Sequence, residues 1–133
     1  MKFFILTIIL ISSVYSYELN WMHDYNKALE KAKKENKDVY LFVGADVCRF
    51  CDMFKELTLS KKEVMKRLGK EYIPLYLSRD QHYIPKYFAI KGVPRHYFIT
   101  PTGKVYHDDR GSREPAGFYD MLDEADLKKD DLK

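Results

Sequence analysis

A chain of 133 residues suits one folded domain. Hydrophobic residues make up 46%, with 11 Tyr and 8 Phe, enough for one aromatic-rich core and unlike a disordered or collagen-like composition. The formal charge of +3 is small, and Lys and Glu alternate along helical stretches rather than forming one basic block, so nucleic acid is not an expected partner.

The chain opens like an export signal. Lys2 supplies a short positive start, Phe3 to Ile11 is almost unbroken apolar sequence, and Val14 and Ser16 satisfy the small-residue rule for cleavage after Ser16. The rival reading is an uncleaved anchor, but the apolar stretch falls short of the roughly 20 residues a spanning helix needs. We therefore expect a signal peptide over 1–16, a domain over 17–133, and no stable membrane span after cleavage. The expected location is extracytoplasmic, the bacterial periplasm first, with secretion or tethering by an uncleaved signal as alternatives.

A short first strand is expected around Trp21. Tyr25, Ala28, Leu29 and Ala32 then recur at helical spacing with lysines on the opposite face, predicting an amphipathic helix capped by Asp24 and ending near Asn36. Val39 to Val43 is a continuous apolar run, as in a strand covered on both faces. Cys48 to Leu57 reads as a helix with Cys51 and Phe54 inward. Ser60 to Glu63 has the form of a capping box for a further helix, which Gly69 is placed to end.

Tyr72 to Leu77 is a second strand, placed near the sheet edge because Pro74 lacks a backbone donor. Ile84 to Ile90 has room for a short helix. Gly92-Val93-Pro94 turns the chain into a third strand, His96 to Thr100, with Arg95 and His96 as strand-edge residues. Pro101-Thr102-Gly103 has hairpin chemistry and Lys104 to His107 returns as a strand. Pro115 suits the first position of a last helix, with Phe118, Met121, Leu122 and Ala125 on one face. The charged tail is expected to fray from about residue 126. The predicted order is β-α-β-α-β-α-β-β-α, an α/β fold with a mixed sheet flanked by helices.

The two Cys of the chain, Cys48 and Cys51, stand three apart just after the buried run and at a helix start. A disulfide closing so short a loop contributes only about 2 kcal/mol by loop entropy, so stapling is a poor reason for the pair. Helix N-termini offer free N–H groups and partial positive charge, and both favour a thiolate. In that geometry Cys48 is the exposed sulfur that attacks a disulfide, and Cys51, one turn on, resolves the mixed species. An inert disulfide and a metal site are the rival readings. Tetrahedral zinc needs two further ligands, and His23, His82, His96 and His107 show no suitable spacing. No metal and no organic cofactor are expected.

With these pieces in order, the sequence resembles the thioredoxin-like family. The resemblance rests on Val39 to Val43, Cys48-Arg49-Phe50-Cys51, Gly92-Val93-Pro94 and the hairpin ending in Thr100-Pro101-Thr102-Gly103-Lys104, and spans roughly Trp21 to Ala125. The segments flanking the cysteines look most like the exported thiol:disulfide oxidoreductase branch. The resemblance implies a thioredoxin fold and a cis Val93–Pro94 bond facing Cys48. It also implies pairing of the Val93 backbone with an extended client peptide. Implied partners are protein thiols or disulfides and a redox partner protein, with a slight lean to reduction. A non-catalytic binding module using the surface around Phe50 and Pro94 is the alternative.

The sequence departs from the family pattern in three places. Val47 replaces the usual aromatic residue, Arg49-Phe50 replaces Gly-Pro, and Phe42 stands where many thioredoxins carry a buried acid. Arg49 and Phe50 are therefore the candidate redox-tuning residues. Arg49 acts by charge in one reading and is a solvated surface residue in the other. Phe50 is read as an apolar lip, and Asp46 as a turn residue.

Overall fold

In the computed structural model, which describes residues 18–133, the run Asp38–Gly44 forms strand β1 with every residue buried. Alternation along a strand sends its side chains to two faces. Val39, Leu41 and Val43 meet helix α1 (Tyr25–Glu35) on one side. Tyr40 and Phe42 join a second core with Cys51, Phe54, Leu68 and Phe118 on the other. That second face is covered by α2 (Arg49–Phe54), which continues as a π-helical turn over Lys55–Leu59, by α3 (Lys62–Glu71) and by α4 (Pro115–Asp130).

The sheet has four strands in the order β2-β1-β3-β4, with β2 over Tyr72–Ser78, β3 over Arg95–Ile99 and β4 over Val105–Arg110. β1 pairs parallel with β2 and antiparallel with β3, so the sheet is mixed and flanked by helices as expected. Pro74 lies on the outer strand β2, where its missing donor leaves β1 unaffected. Asp24 caps α1 by accepting from Lys27 N at 2.9 Å, and Asn36 ends it in the left-handed region at φ 51°. In the β3–β4 hairpin, Gly103 takes φ 91° and donates to Thr100 O at 2.9 Å.

Several local expectations need correction. The segment around Trp21 makes only a single parallel bridge, Met22 to Leu75, rather than a strand. Ile84 to Ile90 is not helical. Pro85 disfavours helical backbone at Ile84, and the segment makes one turn, Phe88 N to Pro85 O, that delivers Phe88 to the core. The capping box does not form. Ser60 Oγ instead donates back to Glu56 O, Lys61 becomes the cap residue of α3, and that helix runs through Gly69 to Glu71. α4 continues to Asp130, past the point where fraying is expected. Its late turns are held to the body by Lys129 with Asp38 at 2.7 Å and by Arg67 with Asp126 at 3.3 Å.

No helix among the described residues is long and apolar enough to cross a membrane. The expected signal peptide lies outside the described residues.

Phe54 anchors α2. It is fully buried, with its ring centroid 5.3 Å from Phe42, 5.0 Å from His96 and 5.2 Å from Phe118. Phe54→Ala should cost about 3–5 kcal/mol, measured by urea unfolding of the oxidised protein. A loss below about 1 kcal/mol would show that α2 is held by something else.

Candidate active site

β1 ends at Gly44, and Cys48 follows as the cap residue of α2 with extended backbone, φ −152° and ψ 101°. The two cysteines are joined by a disulfide, with Cα atoms 5.2 Å apart. Cys51 is fully buried in the aromatic core, whereas Cys48 is partly exposed. The Cys51 N–H points at Cys48 Sγ at 3.1 Å, a donor available to stabilise negative charge on that sulfur. Arg49 and Phe50 project outward between them, and Phe50 is 57% exposed.

The second half of the site comes from the turn before β3. Val43 pairs with Arg95, so the residues preceding Arg95 lie beside those following Val43. Val93 O stands 4.0 Å from Cys48 Sγ, and the Val93–Pro94 bond is cis, as the resemblance implies. A groove of about 560 Å³ runs alongside, lined by Phe50, Met53, Leu57, Val93, Pro94 and Arg110 among others. A second hollow of about 340 Å³, between Trp21, Phe42, Lys55 and Tyr76, has no cysteine in its walls. Among the described residues no group of three or more His, Cys, Asp or Glu is placed to hold a metal ion.

Asp46 does more than make a turn. Its Oδ1 accepts from Ser78 Oγ at 2.8 Å and Gln81 Nε2 at 2.7 Å, while its N–H donates to Asp80 Oδ2 at 2.8 Å. These bonds tie the loop before Cys48 to the end of β2. Spacing gave no hint of them, because the partners lie more than 30 residues away in sequence.

His96 is not a strand-edge residue. It sits fully buried in β3, paired in register with Phe42. Its ring lies 6.1 Å from Phe42 and nearly parallel to it. Gly111 O can only accept, so His96 Nε2–H donates to it at 2.8 Å; Nδ1 then accepts from Tyr40 Oη–H at 2.7 Å. The polar pair in this part of the core is thus supplied by β1 and β3 together, beside the position where Phe42 replaces an acid. Strict alternation from buried Phe98 would have placed His96 inward; its polar side chain argued against that in the sequence.

A sequence-family model described as thioredoxin-like matches residues 20–101. Spermatogenesis-associated protein 20 of Rattus norvegicus is 30% identical over 118 residues, covering 78% of this chain and 15% of that protein, so this chain spans only a small part of that relative. Anterior gradient protein 2 homolog of Homo sapiens is 29% identical over 116 residues, covering 80% of this chain and 64% of its own length. Among solved structures, a thioredoxin from Thermus thermophilus superposes with a TM-score of 0.71 at 23% identity, covering 84% of this chain and 90% of that one. A DsbH oxidoreductase superposes at 0.68 and 19% identity, covering 89% and 91%. At these identities the structural matches speak for the fold.

Burial makes His96 hard to charge: its pKa falls from 6.5 to about 4, chiefly by desolvation, with the Gly111 bond working the other way. The unfolded chain takes up this proton near pH 6.5, and the folded one resists until about 4. Stability from the neutral ring is therefore fully present above pH 6.5 and is lost as pH falls towards 4, by about 3 kcal/mol. Urea unfolding at pH 7 and pH 4 should show a smaller acid loss in His96→Gln than in the wild type. Equal losses would place the acid sensitivity elsewhere.

Proposed function

The chain belongs to the thioredoxin-like family, and from that premise we propose that it is an exported thiol–disulfide oxidoreductase working on protein clients through Cys48 and Cys51. The observation that carries this reading is the asymmetry of the pair: one sulfur partly exposed beside a groove and an open main-chain edge, the other fully buried behind it. The layout of residues 2–16 supports export, first to a bacterial periplasm.

The Cys48 thiolate attacks one sulfur of a client disulfide. A Cys48–client bond forms as the client S–S bond breaks, and the departing client thiolate takes a proton. Cys51 then loses its proton and attacks Cys48 Sγ, forming the Cys48–Cys51 disulfide and releasing the second client sulfur as a thiol. The client gains two electrons and the protein loses two. A dithiol redox partner protein restores the pair by the same exchange in reverse. Val93 and Pro94 line the approach to Cys48, and the Val93 backbone is the pairing edge for an extended client. Arg49 and Phe50 set the potential and the lip of the site. We assign the reducing direction.

Brief iodoacetamide treatment of the reduced protein should alkylate Cys48 well before Cys51, read by mass spectrometry. Cys51→Ala should accumulate mixed disulfides with clients, whereas Cys48→Ser should lose insulin reduction with dithiothreitol. Trapping by a Cys48→Ala form alone would reverse the roles, and trapping by neither would favour a binding module. The pair's equilibrium potential should lie nearer −270 mV than −120 mV, values of about thioredoxin and a strong oxidant respectively.

A further inference from the structure

Arg95 and Arg110 face each other directly across the β3–β4 ladder. Like charges opposed in an antiparallel pair destabilise it, so the pairing needs a reason beyond the fold. Both side chains converge on Gly92, next to Val93 in the turn that faces Cys48. A β-carbon on Gly92 would lie 3.4 Å from Arg95 Nη2, 3.4 Å from Arg110 Cδ and 3.7 Å from Arg110 Nη1. Gly92 takes φ 68°, where side chains are disfavoured, and leaves that space to the two arginines.

Arg95 is positioned without being neutralised, and so is the neighbouring Arg79. Arg95 Nε donates to Lys91 O at 2.9 Å, and Arg79 Nη1 donates to Ile90 O at 2.9 Å. Main-chain carbonyls thus pin two guanidinium groups to the 90–92 turn and leave their charge unmatched. None of the ion pairs among the described residues includes Arg49, Arg79, Lys91, Arg95 or Arg110. Asp109, beside Arg110, is engaged by Arg113 at 2.9 Å. Glu114, on the wall of the same groove as Arg110, is in none of these ion pairs either.

We propose that Arg95 and Arg110 form a carboxylate clamp that selects client disulfides with an acidic residue beside the reacting cysteine. This rests on the exchange function above and names its substrate class. A guanidinium pair matches the planar, two-oxygen shape of an Asp or Glu carboxylate. An extended client advances about 3.3 Å per residue, so a chain with its sulfur at Cys48 carries a residue one or two positions away past Val93 and Gly92. The apolar wall made by Phe50, Met53 and Leu57 takes the client's apolar contacts, and the arginines supply its charge preference.

The test uses the reduced protein and three symmetrical peptide disulfides, acetyl-Ala-Xaa-Cys-Xaa-Ala-amide with Xaa as Glu, Gln or Lys. Exchange rates are read by acid quench and mass spectrometry. At low salt the Glu peptide should react about tenfold faster than the Lys peptide, a ratio within the reach of electrostatic steering. The ratio should fall in 0.5 M NaCl, where screening shortens the reach of surface charge. In the Arg95→Gln, Arg110→Gln double variant it should drop to within about twofold at low salt. The same Glu-to-Lys ratio in wild type and double variant overturns the clamp, as does a ratio abolished by Arg49→Gln but kept in the double variant. Failure to exchange even the Gln peptide would overturn the exchange function, and the clamp with it.

Discussion

The site hangs on the complete burial of β1. All seven residues of that strand are covered on both faces, and both of its edges are paired. A strand so enclosed cannot slip, because a shift of one residue would exchange its two hydrophobic faces. Its fixed register sets where its C-terminal end emerges, and Gly44 to Cys48 continue from that end. The antiparallel register of β3 then decides what stands beside them: with Val43 opposite Arg95, Val93 and Pro94 must fall next to the cysteine loop. The closeness of Val93 O to Cys48 Sγ thus follows from strand pairing, and needs no contact between the two loops to create it.

The same burial explains how this core tolerates polar groups. Tyr40 and His96 project into the aromatic layer that also holds Phe42, Phe54 and Phe118, and each is fully buried. A buried hydroxyl or imidazole is costly only when a donor or acceptor is left over. Here the chain of Tyr40, His96 and Gly111 O uses every ring nitrogen once, and neither group carries charge. The arrangement also fixes one histidine tautomer, since the carbonyl can accept and never donate. The core under the disulfide is therefore neutral, and burial disfavours any charged state of its polar members.

Much of this was legible in the sequence, and the boundary of legibility is physical. The apolar run Val39 to Val43, the helical period of α1, the hairpin chemistry at Thr102-Gly103 and the proline at the start of α4 are local signals, and local hydrophobic pattern dictates them. Pro74 announced an outer strand for the same reason. The failures are places where a distant partner decides. Ser60 abandons its capping box because the π-helical turn before it leaves Glu56 O within reach of its hydroxyl. Residues 126–130 are as charged as a fraying tail, yet Lys129 meets Asp38, nearly a hundred residues earlier in the chain. His96 and Asp46 have the composition of surface residues, and only the register of β1 with its neighbours shows that each is satisfied by bonds across the fold. The cysteine pair was legible as a motif, and the cations around Gly92 were not, because Arg95 and Arg110 become neighbours only through the hairpin.

Three segments meet at the disulfide, and they are held by different forces. The α2 side is fixed by apolar burial through Cys51 and Phe54. The loop before Cys48 is fixed by the Asp46 hydrogen bonds to Ser78, Gln81 and Asp80. The 90–92 turn is fixed by guanidinium bonds to Ile90 O and Lys91 O. The first carries no charge for salt to screen, whereas the last rests on exposed or partly exposed cations whose interactions are screened. Arg95 therefore couples two properties that most surfaces keep separate: the charge presented at Gly92, next to Val93, and the position of the main chain that presents it. Arg95 holds Lys91 O through Nε alone, so its Nη donors stay available to another acceptor while the turn whose Val93 carbonyl stands 4.0 Å from Cys48 Sγ remains pinned.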